Sequence, residues 1–407
     1  VNGRAQGVET LTLEDCLRIG IDNNLSLESK RREIQKSKYG VSENRARLLP
    51  QISAVAGYSN NFDPPVSVTD GSSYGVPYNI TQTLQHSANA GLEMQMPLFN
   101  QTLYTSMSIA KVVEEISRLS YGKAREDIIL QISKMYYLGQ VTAEQIVLIK
   151  ANITRLEELR DITRAFFDNG MSMEVDLKRV NINLENLKVQ YDNAQAMMKQ
   201  QLNMLKYIMD YPAEKEIALT PVNTDSITTV ALTGLSENLY ELQLTQSQLE
   251  LAERQKRMIT NGYIPSLSLT GNWRYAAYTD KGYHWFHSGP SNHWFRSYGL
   301  GLTLRIPIFD GLDKTYKIRK AMIDIENRKL AWEDTRKTQY LNAVNDLMNN
   351  QRNFKKQKDN YLLAEDVYAV TSDRYREGIA SMTEVLQDEM QMSEAQNNYI
   401  NAHYNYR

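Results

Sequence analysis

Few residues in this chain have the types and spacing that chemistry requires. The five histidines are His86, His284, His287, His293 and His403. His284 and His287 lie three residues apart and His293 follows, a spacing that could hold a metal ion. The surrounding segment is rich in Gly, Ser and Asn, and its one nearby carboxylate is Asp280. We therefore interpret it as an exposed loop rather than a metal site.

The single cysteine, Cys16, lies within a predicted helix and far from these histidines in sequence. It is interpreted as a small buried apolar residue rather than a nucleophile, and one cysteine forms no internal disulfide. The sequence contains neither a glycine-rich phosphate loop nor a paired zinc motif. The chain is therefore predicted not to be an enzyme, and no cofactor or metal is expected.

Composition excludes further classes. The 407 residues carry 46 Lys and Arg against 48 Asp and Glu, a net charge of −2, which argues against a nucleic-acid partner. The mean hydropathy is −0.50, and the absence of a run of about 18 apolar residues excludes a transmembrane helix. The charge is unevenly spread. Residues 48–110 contain three charged side chains and residues 259–309 contain five, whereas the remainder is densely charged.

The two charge-poor segments belong to an internal repeat. The matching pairs are residues 49–53 with 264–268, 96–100 with 306–310, and 167–171 with 375–379, at offsets of 215, 210 and 208. Their common order and nearly constant offset indicate a duplicated unit of roughly 210 residues. We predict a first structural repeat over residues 1–210, a linker over 211–229 and a second repeat over 230–407.

Alternation of apolar and polar side chains predicts four strands, at about residues 50–60, 88–98, 265–276 and 297–308. Pro50 and Pro265 precede two of these strands, and Pro97 and Pro307 end the other two. The lengths suit tilted membrane-spanning strands of about 9–11 residues. Aromatic residues cluster near the strand ends of the second repeat, which is typical of an interfacial girdle.

The remaining segments are predicted to be helical. Residues 100–167 and 311–377 are free of proline, and at 1.5 Å per residue each could span roughly 100 Å. Residues 12–47, 172–209, 230–261 and 380–407 are about half as long or shorter. A heptad series indicates side-by-side packing; its members are Tyr340, Leu347, Phe354, Tyr361, Tyr368 and Tyr375. Gly170 and Gly378 would form the turns of two helical hairpins.

The strand count predicts the assembly. Four strands cannot close a membrane barrel, because the smallest barrels have about eight, and lipid does not tolerate an open sheet edge. A homotrimer would supply twelve strands. The residues expected to face lipid are Leu300, Leu302 and Leu304, and those expected to line the lumen are Glu93, Arg274 and Arg305. A soluble β-sandwich is the alternative, but it would need a second sheet to cover these strands.

The chain resembles the TolC-like outer-membrane efflux protein family over nearly all of its length. The resemblance rests on residues 11–17 with 23–25, on 46–50, and on 378–388. Two departures are Cys16, where a small residue is usual, and Asn24-Leu25 in place of Asn-Pro. The order of repeats, strands and turns is more specific than any one motif.

The resemblance implies a mixed α and β membrane protein. A trimeric 12-stranded β-barrel, with four strands per chain, would lie in the outer membrane of a Gram-negative bacterium. A long α-helical barrel would continue it across the periplasm, with the 211–229 linker in the equatorial region. The resemblance further implies passive exit for substrates delivered by an inner-membrane transporter through a periplasmic adaptor protein.

The resemblance also assigns roles near the two glycine turns. The residues expected to dock the adaptor are Asn169, Gly170, Met171, Glu377, Gly378 and Ile379. Those expected to form a periplasmic gate are Asp176, Tyr375, Glu384 and Asp388, since Tyr375 and Glu384 match the family's gate tyrosine and acidic ring. The family's second carboxylate falls at Gln387, so either Asp388 replaces it or an inner ring is absent. The alternative is that the carboxylates are solvated and Tyr375 continues the heptad seam.

Two other functions fit parts of the sequence. A conduit for type I protein secretion would have the same architecture. A non-channel coiled-coil scaffold of the cell envelope would explain the helices but not four alternating strands with paired prolines. Resistance to salt extraction combined with release by detergent would separate a membrane channel from a scaffold. The lumen of a conduit carries little recognition chemistry, so the sequence does not identify a substrate.

Overall fold

The computed structural model describes residues 9–70, 72, 75–82, 84–221, 239–279 and 294–407. The elements are β1 (Glu9–Leu11), α1 (Leu13–Asn23), α2 (Leu25–Ala46), β2 (Gln51–Asn60), β3 (Val66–Asp70), β4 (Tyr78–Gln82), β5 (His86–Phe99), α3 (Gln101–Asp168), α4 (Glu174–Met209), β6 (Ile217–Leu219), α5 (Tyr240–Asn261), β7 (Ser266–Thr279), β8 (Trp294–Arg305), α6 (Asp313–Arg376) and α7 (Met382–Tyr406). Within those ranges, no helix combines the length and the apolar character that crossing a bilayer requires.

The chain divides into two compact units. The sheet unit comprises Ile34–Ser117 and Thr245–Ala331, and the helical unit comprises Val1–Glu33, Arg118–Leu244 and Trp332–Arg407. The long helices α3 and α6 therefore contribute residues to both units. The strands predicted to span a membrane belong to the sheet unit, and the two glycine turns belong to the helical unit.

The sheet unit contains a four-stranded antiparallel sheet in the order β2-β5-β7-β8. The register places Met94 opposite Gly271, and Gly271 opposite Leu300. Because side chains alternate between faces along a strand, residues in register share a face. The alternation seen in the sequence therefore becomes one apolar and one polar sheet face. The strands β2 and β8 form the two edges of the sheet.

The strand ends differ from the sequence prediction. The second strand was predicted over 88–98, but β5 begins at His86 and continues through Pro97 with a register shift before Phe99. The fourth was predicted over 297–308, but β8 begins at Trp294 and ends at Arg305, before Pro307. Proline cannot donate to a ladder, which is consistent with the earlier end of β8. A β3–β4 hairpin also forms between β2 and β5, where the sequence analysis predicts no strand.

The predicted first helix, residues 12–47, is broken at Asn24 into α1 and α2. The side-chain Oδ1 of Asn24 accepts hydrogen bonds from the backbone N–H groups of Ser26 at 2.9 Å and Leu27 at 3.1 Å. Its Nδ2 donates to the carbonyl of Ile208 at 2.9 Å. Asn24 therefore satisfies the N-terminus of α2 and ties it to α4, a role that asparagine suits well.

One core cluster of the helical unit lies between two helical hairpins, α3–α4 and α6–α7. Its buried residues include Leu156 and Leu159 of α3, Val180 and Leu184 of α4, Tyr368 and Tyr375 of α6, and Val385 and Met392 of α7. Phe354, Tyr368 and Tyr375 of the predicted heptad series are buried. The seven-residue spacing therefore does mark a packed helix face, as expected for a coiled coil.

Candidate functional site: hairpin tips and gate

The two hairpin turns have the same backbone structure. Gly170 has φ 78° and Gly378 has φ 74°, both in the left-handed region that favours glycine. At the first tip, the N–H of Met171 donates to the carbonyl of Phe166 at 2.8 Å. At the second, the N–H of Ile379 donates to the carbonyl of Arg374 at 2.8 Å. Both helices therefore end in a Schellman motif, which satisfies their last carbonyls.

The two tips lie together around one cavity of about 730 Å³. Its lining includes Gly170 and Met171 from the first tip and Glu377 and Gly378 from the second, together with Tyr375. Met171 and Ile379 are exposed at 67% and 63%. Exposed apolar side chains that lie together at one surface, rather than singly, are candidates for contact with another molecule.

Tyr375 is buried within the chain, with 5% of its surface exposed. Its hydroxyl donates to Oγ1 of Thr163 at 3.3 Å, and its ring lies 5.6 Å from that of Phe166 between centroids. Burial raises the pKa of the Tyr375 phenol, so the hydroxyl stays protonated and remains a donor. Tyr375 therefore joins the second hairpin to α3 at the level of the tips.

Asp176 is part-buried and pairs with Arg179, with Oδ1 and Nη1 at 3.3 Å. The same Nη1 of Arg179 lies 3.5 Å from Oγ1 of Thr383 on α7. Arg179 therefore connects the start of α4 with the start of α7. Arg179 was not among the residues predicted from the sequence, although its position three residues after Asp176 on a helix was a usable signal.

Glu384 holds the N-terminus of its own helix. Its Oε2 accepts from the N–H of Ser381 at 2.8 Å, and the N–H of Glu384 donates to Oγ of Ser381 at 3.3 Å. This is a capping box. The hydrogen bonds from Ser381 lower the pKa of the Glu384 carboxyl, so it stays ionised to lower pH than an ordinary glutamate. Glu384 remains exposed, and Asp388 is half-buried one turn later.

The other predicted positions lie in the four-stranded sheet. Leu300, Leu302 and Leu304 share one face of β8 and are exposed at 77%, 67% and 61%. On the opposite face, Nη2 of Arg274 forms an ion pair with Oε1 of Glu93 at 2.9 Å across β7 and β5. Arg305 is opposite Ser266, which is also on the polar face. The structure thus separates the two predicted sets by face, with charge on one side and leucines on the other.

Of the residues considered for metal or nucleophile chemistry, the structure describes His86, His403 and Cys16. His284, His287, His293 and Asp280 lie outside the described ranges. Nδ1 of His86 is 2.9 Å from the hydroxyl of Tyr58, and Nδ1 of His403 is 3.2 Å from Oε2 of Glu144. Cys16 is buried in the helical unit, and burial raises the pKa of its thiol to about 12. Among the described residues, no group of three metal-ligating side chains occurs.

A sheet with one apolar and one charged face, followed by very long paired helices, defines the class of α and β outer-membrane channel subunits. The family model "Outer membrane efflux protein" matches residues 19–209 and 231–407. The chain belongs to this family. It is accordingly an outer-membrane efflux channel protein of a Gram-negative bacterium, and a transport conduit rather than an enzyme.

Individual relatives are distant but cover most of the chain. Outer membrane protein TolC of Vibrio cholerae is 20% identical over 382 residues, which covers 90% of this chain and 81% of that protein. The probable efflux pump outer membrane protein TtgC of Pseudomonas putida is 23% identical, covering 94% of this chain and 78% of that protein. The solved structure of CusC matches with a TM-score of 0.80 at 16% identity, covering 100% of this chain and 92% of that one.

Proposed function

We propose that this chain acts as a homotrimer whose twelve strands form one outer-membrane β-barrel, continued by an α-helical barrel in the periplasm. The observation that carries this proposal is the four-stranded sheet with edges at β2 and β8. Four strands are too few for a closed barrel, whereas three copies give a number within the range of known barrels. Pairing β2 of one chain with β8 of the next would satisfy both edges in lipid.

The two faces of the sheet support an orientation for the barrel. The exposed leucines of β8 would contact lipid, and the Glu93–Arg274 pair and Arg305 would line the water-filled lumen. An ion pair placed in lipid would have to be desolvated at a cost of several kcal/mol, whereas the lumen hydrates it.

We further propose that the hairpin tips dock a periplasmic adaptor protein, which connects the channel to an inner-membrane transporter. The tips combine a rigid turn with exposed apolar side chains at Met171 and Ile379. Residues 169–171 and 377–379 would form this surface. The names of the relatives support the partnership, because TtgC is described as a component of an efflux pump.

The adjacent gate would consist of Asp176, Tyr375, Glu384 and Asp388. In a trimer each carboxylate recurs three times around the axis, and converging like charges favour bound cations. The Tyr375–Thr163 hydrogen bond and the Arg179 contacts to Asp176 and Thr383 would hold the closed arrangement. The two-repeat organisation, 1–210 and 230–407 with a linker at 211–229, is part of this proposal. The matched Schellman turns support it.

Images of the detergent-solubilised particle test the assembly. We expect a hollow cylinder with three-fold symmetry. A monomeric particle, or a solid one, would overturn the proposal of a shared barrel. A planar-bilayer recording of the same preparation tests conduction separately, because a trimer that passes no ions when opened would be a scaffold.

A further inference from the structure

The seam between the hairpins contains polar residues at positions that a coiled coil normally fills with apolar ones. On α7 one series of buried residues alternates at spacings of four and three; its members are Val385, Glu389, Met392, Gln396, Tyr399 and His403. On α3 the corresponding residues are Ile149, Asn152, Leu156, Leu159 and Thr163. These are the core positions of heptads, where a polar residue specifies register at a cost in stability.

One part of this polar set is hydrogen-bonded between helices, although Nε2 of Gln396 and Nε of Arg155 have no partner among the described residues. Nδ2 of Asn152 donates to Oε1 of Gln396 at 2.7 Å, which pairs α3 with α7. Arg155 donates to Oδ1 of Asn152 and forms an ion pair with Glu365 of α6 at 3.8 Å. Three helices therefore meet in one network. These contacts direct the guanidinium of Arg155 to Asn152 and Glu365.

Glu389 is the one carboxylic acid in this set of core positions, and one of its carboxyl oxygens has no hydrogen-bond partner among the described residues. It is 5% exposed, and the oxygen without a partner is Oε1. An ionised carboxylate in such a position costs several kcal/mol, whereas a protonated one can donate a hydrogen bond and carries no charge. Glu389 also reaches the wall of a groove of about 860 Å³ between α4 and α7, which gives water and protons access.

We propose that Glu389 is a proton-binding site inside the coiled-coil core, and that protonation of its carboxyl holds α7 in register against α3 and α6. The inference concerns packing within one chain, so it does not depend on the proposed trimer or on channel activity. Its consequence for the channel would be that periplasmic acidity tightens the hairpins that carry the gate.

The electrostatic surroundings support uptake of a proton. The titratable and charged groups around Glu389 are Arg155 of α3, Glu365 and Tyr368 of α6, Arg179 of α4, and Asp388 and Glu394 of α7 itself. Burial raises the pKa of Glu389, and the positive charge of Arg155 offsets only part of that rise. The α4 side of the groove presents the neutral amides of Asn186 and Gln190.

Because the pKa of Glu389 is raised in the folded chain, the packing of α7 should be more stable at low pH. A carboxyl with a raised pKa in the folded state binds its proton more tightly when folded than when unfolded. Its contribution is fully present below the unfolded pKa of glutamate and is lost as pH rises through the folded pKa. Each unit by which the folded pKa exceeds the unfolded one corresponds to about a tenfold change in the packing equilibrium.

Hydrogen exchange of the purified full chain tests the proposal, with α7 amide protection compared from about pH 5 to about pH 8 after correction for intrinsic exchange rates. In the wild type we expect protection of α7 to fall as pH rises. Glu389→Gln keeps the neutral form, so its protection should stay high across the range. The control Glu326→Gln, an exposed glutamate on α6 that does not line this groove, should follow the wild type. Identical pH profiles for wild type and Glu389→Gln would overturn the proposal.

A second measurement uses only the wild-type protein. It therefore tests the proposal even if the Glu389→Gln variant fails to fold. Infrared difference spectra of the wild type, titrated with acid, report the carbonyl stretch of protonated carboxyl groups. We expect one carboxyl per chain to remain protonated at a pH where ordinary glutamates have ionised. Loss of every protonated-carboxyl band in the ordinary range of glutamate would reject the site.

Discussion

At the scale of single residues, Tyr375 and Glu384 make different contacts, although the resemblance to the family predicts that both belong to one gate. Tyr375 is a buried link between hairpins, whereas Glu384 is an exposed carboxylate that caps a helix. A buried hydrogen bond resists loosening of the hairpins. An exposed charge near the tips acts on ions and on neighbouring chains. The two residues can therefore be separated by experiment.

Replacing Tyr375 by phenylalanine removes the hydrogen bond to Thr163 and keeps the ring contact with Phe166. We expect the contact between α6 and α3 to lose about 0.5–1.5 kcal/mol of stability in each chain, the usual contribution of one hydrogen bond. If this link holds the closed state, planar-bilayer recordings should show a higher resting conductance. Thr163→Val removes the acceptor of the same bond and should have the same effect. Wild-type conductance in both variants would remove Tyr375 from the gate.

Glu384 offers a pair of variants that separates charge from capping. Glu384→Gln removes the charge but can still accept from Ser381, whereas Glu384→Ala removes both. If Glu384 belongs to an acidic ring, both variants should weaken block by multivalent cations from the periplasmic side. Only Glu384→Ala should fray the start of α7 in hydrogen exchange. Cation block equal to that of the wild type in both variants would contradict the ring.

The contribution of Glu384 to the stability of α7 depends on pH with the opposite sign to that of Glu389. Because its pKa is lowered in the folded chain, Glu384 stabilises α7 above the unfolded pKa of glutamate, and this is lost as pH falls through the folded value. Cation block should persist at a pH where ordinary glutamates have begun to protonate. Block recorded over a descending pH series would check this expectation.

At the scale of elements, the sequence predicted the strands and tips because their signals are local. Alternation, paired prolines and the two glycines gave the sheet and both turns within a few residues. The break at Asn24 was missed because the hydrogen bond to Ile208 joins residues 184 positions apart. The cap at Ser381 and Glu384 was readable as a local motif but was not recognised. The burial of Glu389 depends on how four helices meet, which no single-helix pattern gives.

The hairpin tips make a prediction at this scale. Met171→Asp and Ile379→Asp place charge on exposed apolar positions next to glycines that keep the turns intact. If the tips dock the adaptor, crosslinking to it should be lost, because a buried unpaired carboxylate is costly at an interface. Trimer yield should be unchanged. Leu363→Asp, an exposed apolar position on α6 away from the tips, is the control and should crosslink normally. Crosslinking retained in both tip variants would reject docking.

At the scale of the whole molecule, one feature of the sheet unit requires an environment that a single chain lacks. The four-stranded sheet carries a face of exposed leucines and two strand edges, and both are unfavourable in water. In the proposed trimer a bilayer would cover the leucines, and neighbouring copies would cover the edges. The membrane location therefore accounts for the exposed leucine face of the sheet, and the proposed trimer would account for its two unpaired edges.

Arginine substitutions at Leu302 and at its neighbour Thr303 test which face of the sheet contacts lipid, because the two residues lie on opposite faces of β8. Leu302 lies opposite Leu269 on the apolar face, and Thr303 lies opposite Ser268 on the polar face. Leu302→Arg should place a charge in lipid and cost about 2–4 kcal/mol per chain if the position is near the bilayer midplane. Thr303→Arg adds the same side chain at the neighbouring position on the polar face, where the proposed lumen would hydrate it. We therefore expect Leu302→Arg to reduce trimer yield and heat resistance on semi-native gels, and Thr303→Arg to leave both near the wild-type level. Equal behaviour of the two variants would show that the two faces do not meet different media. The opposite order would place the leucine face in the lumen.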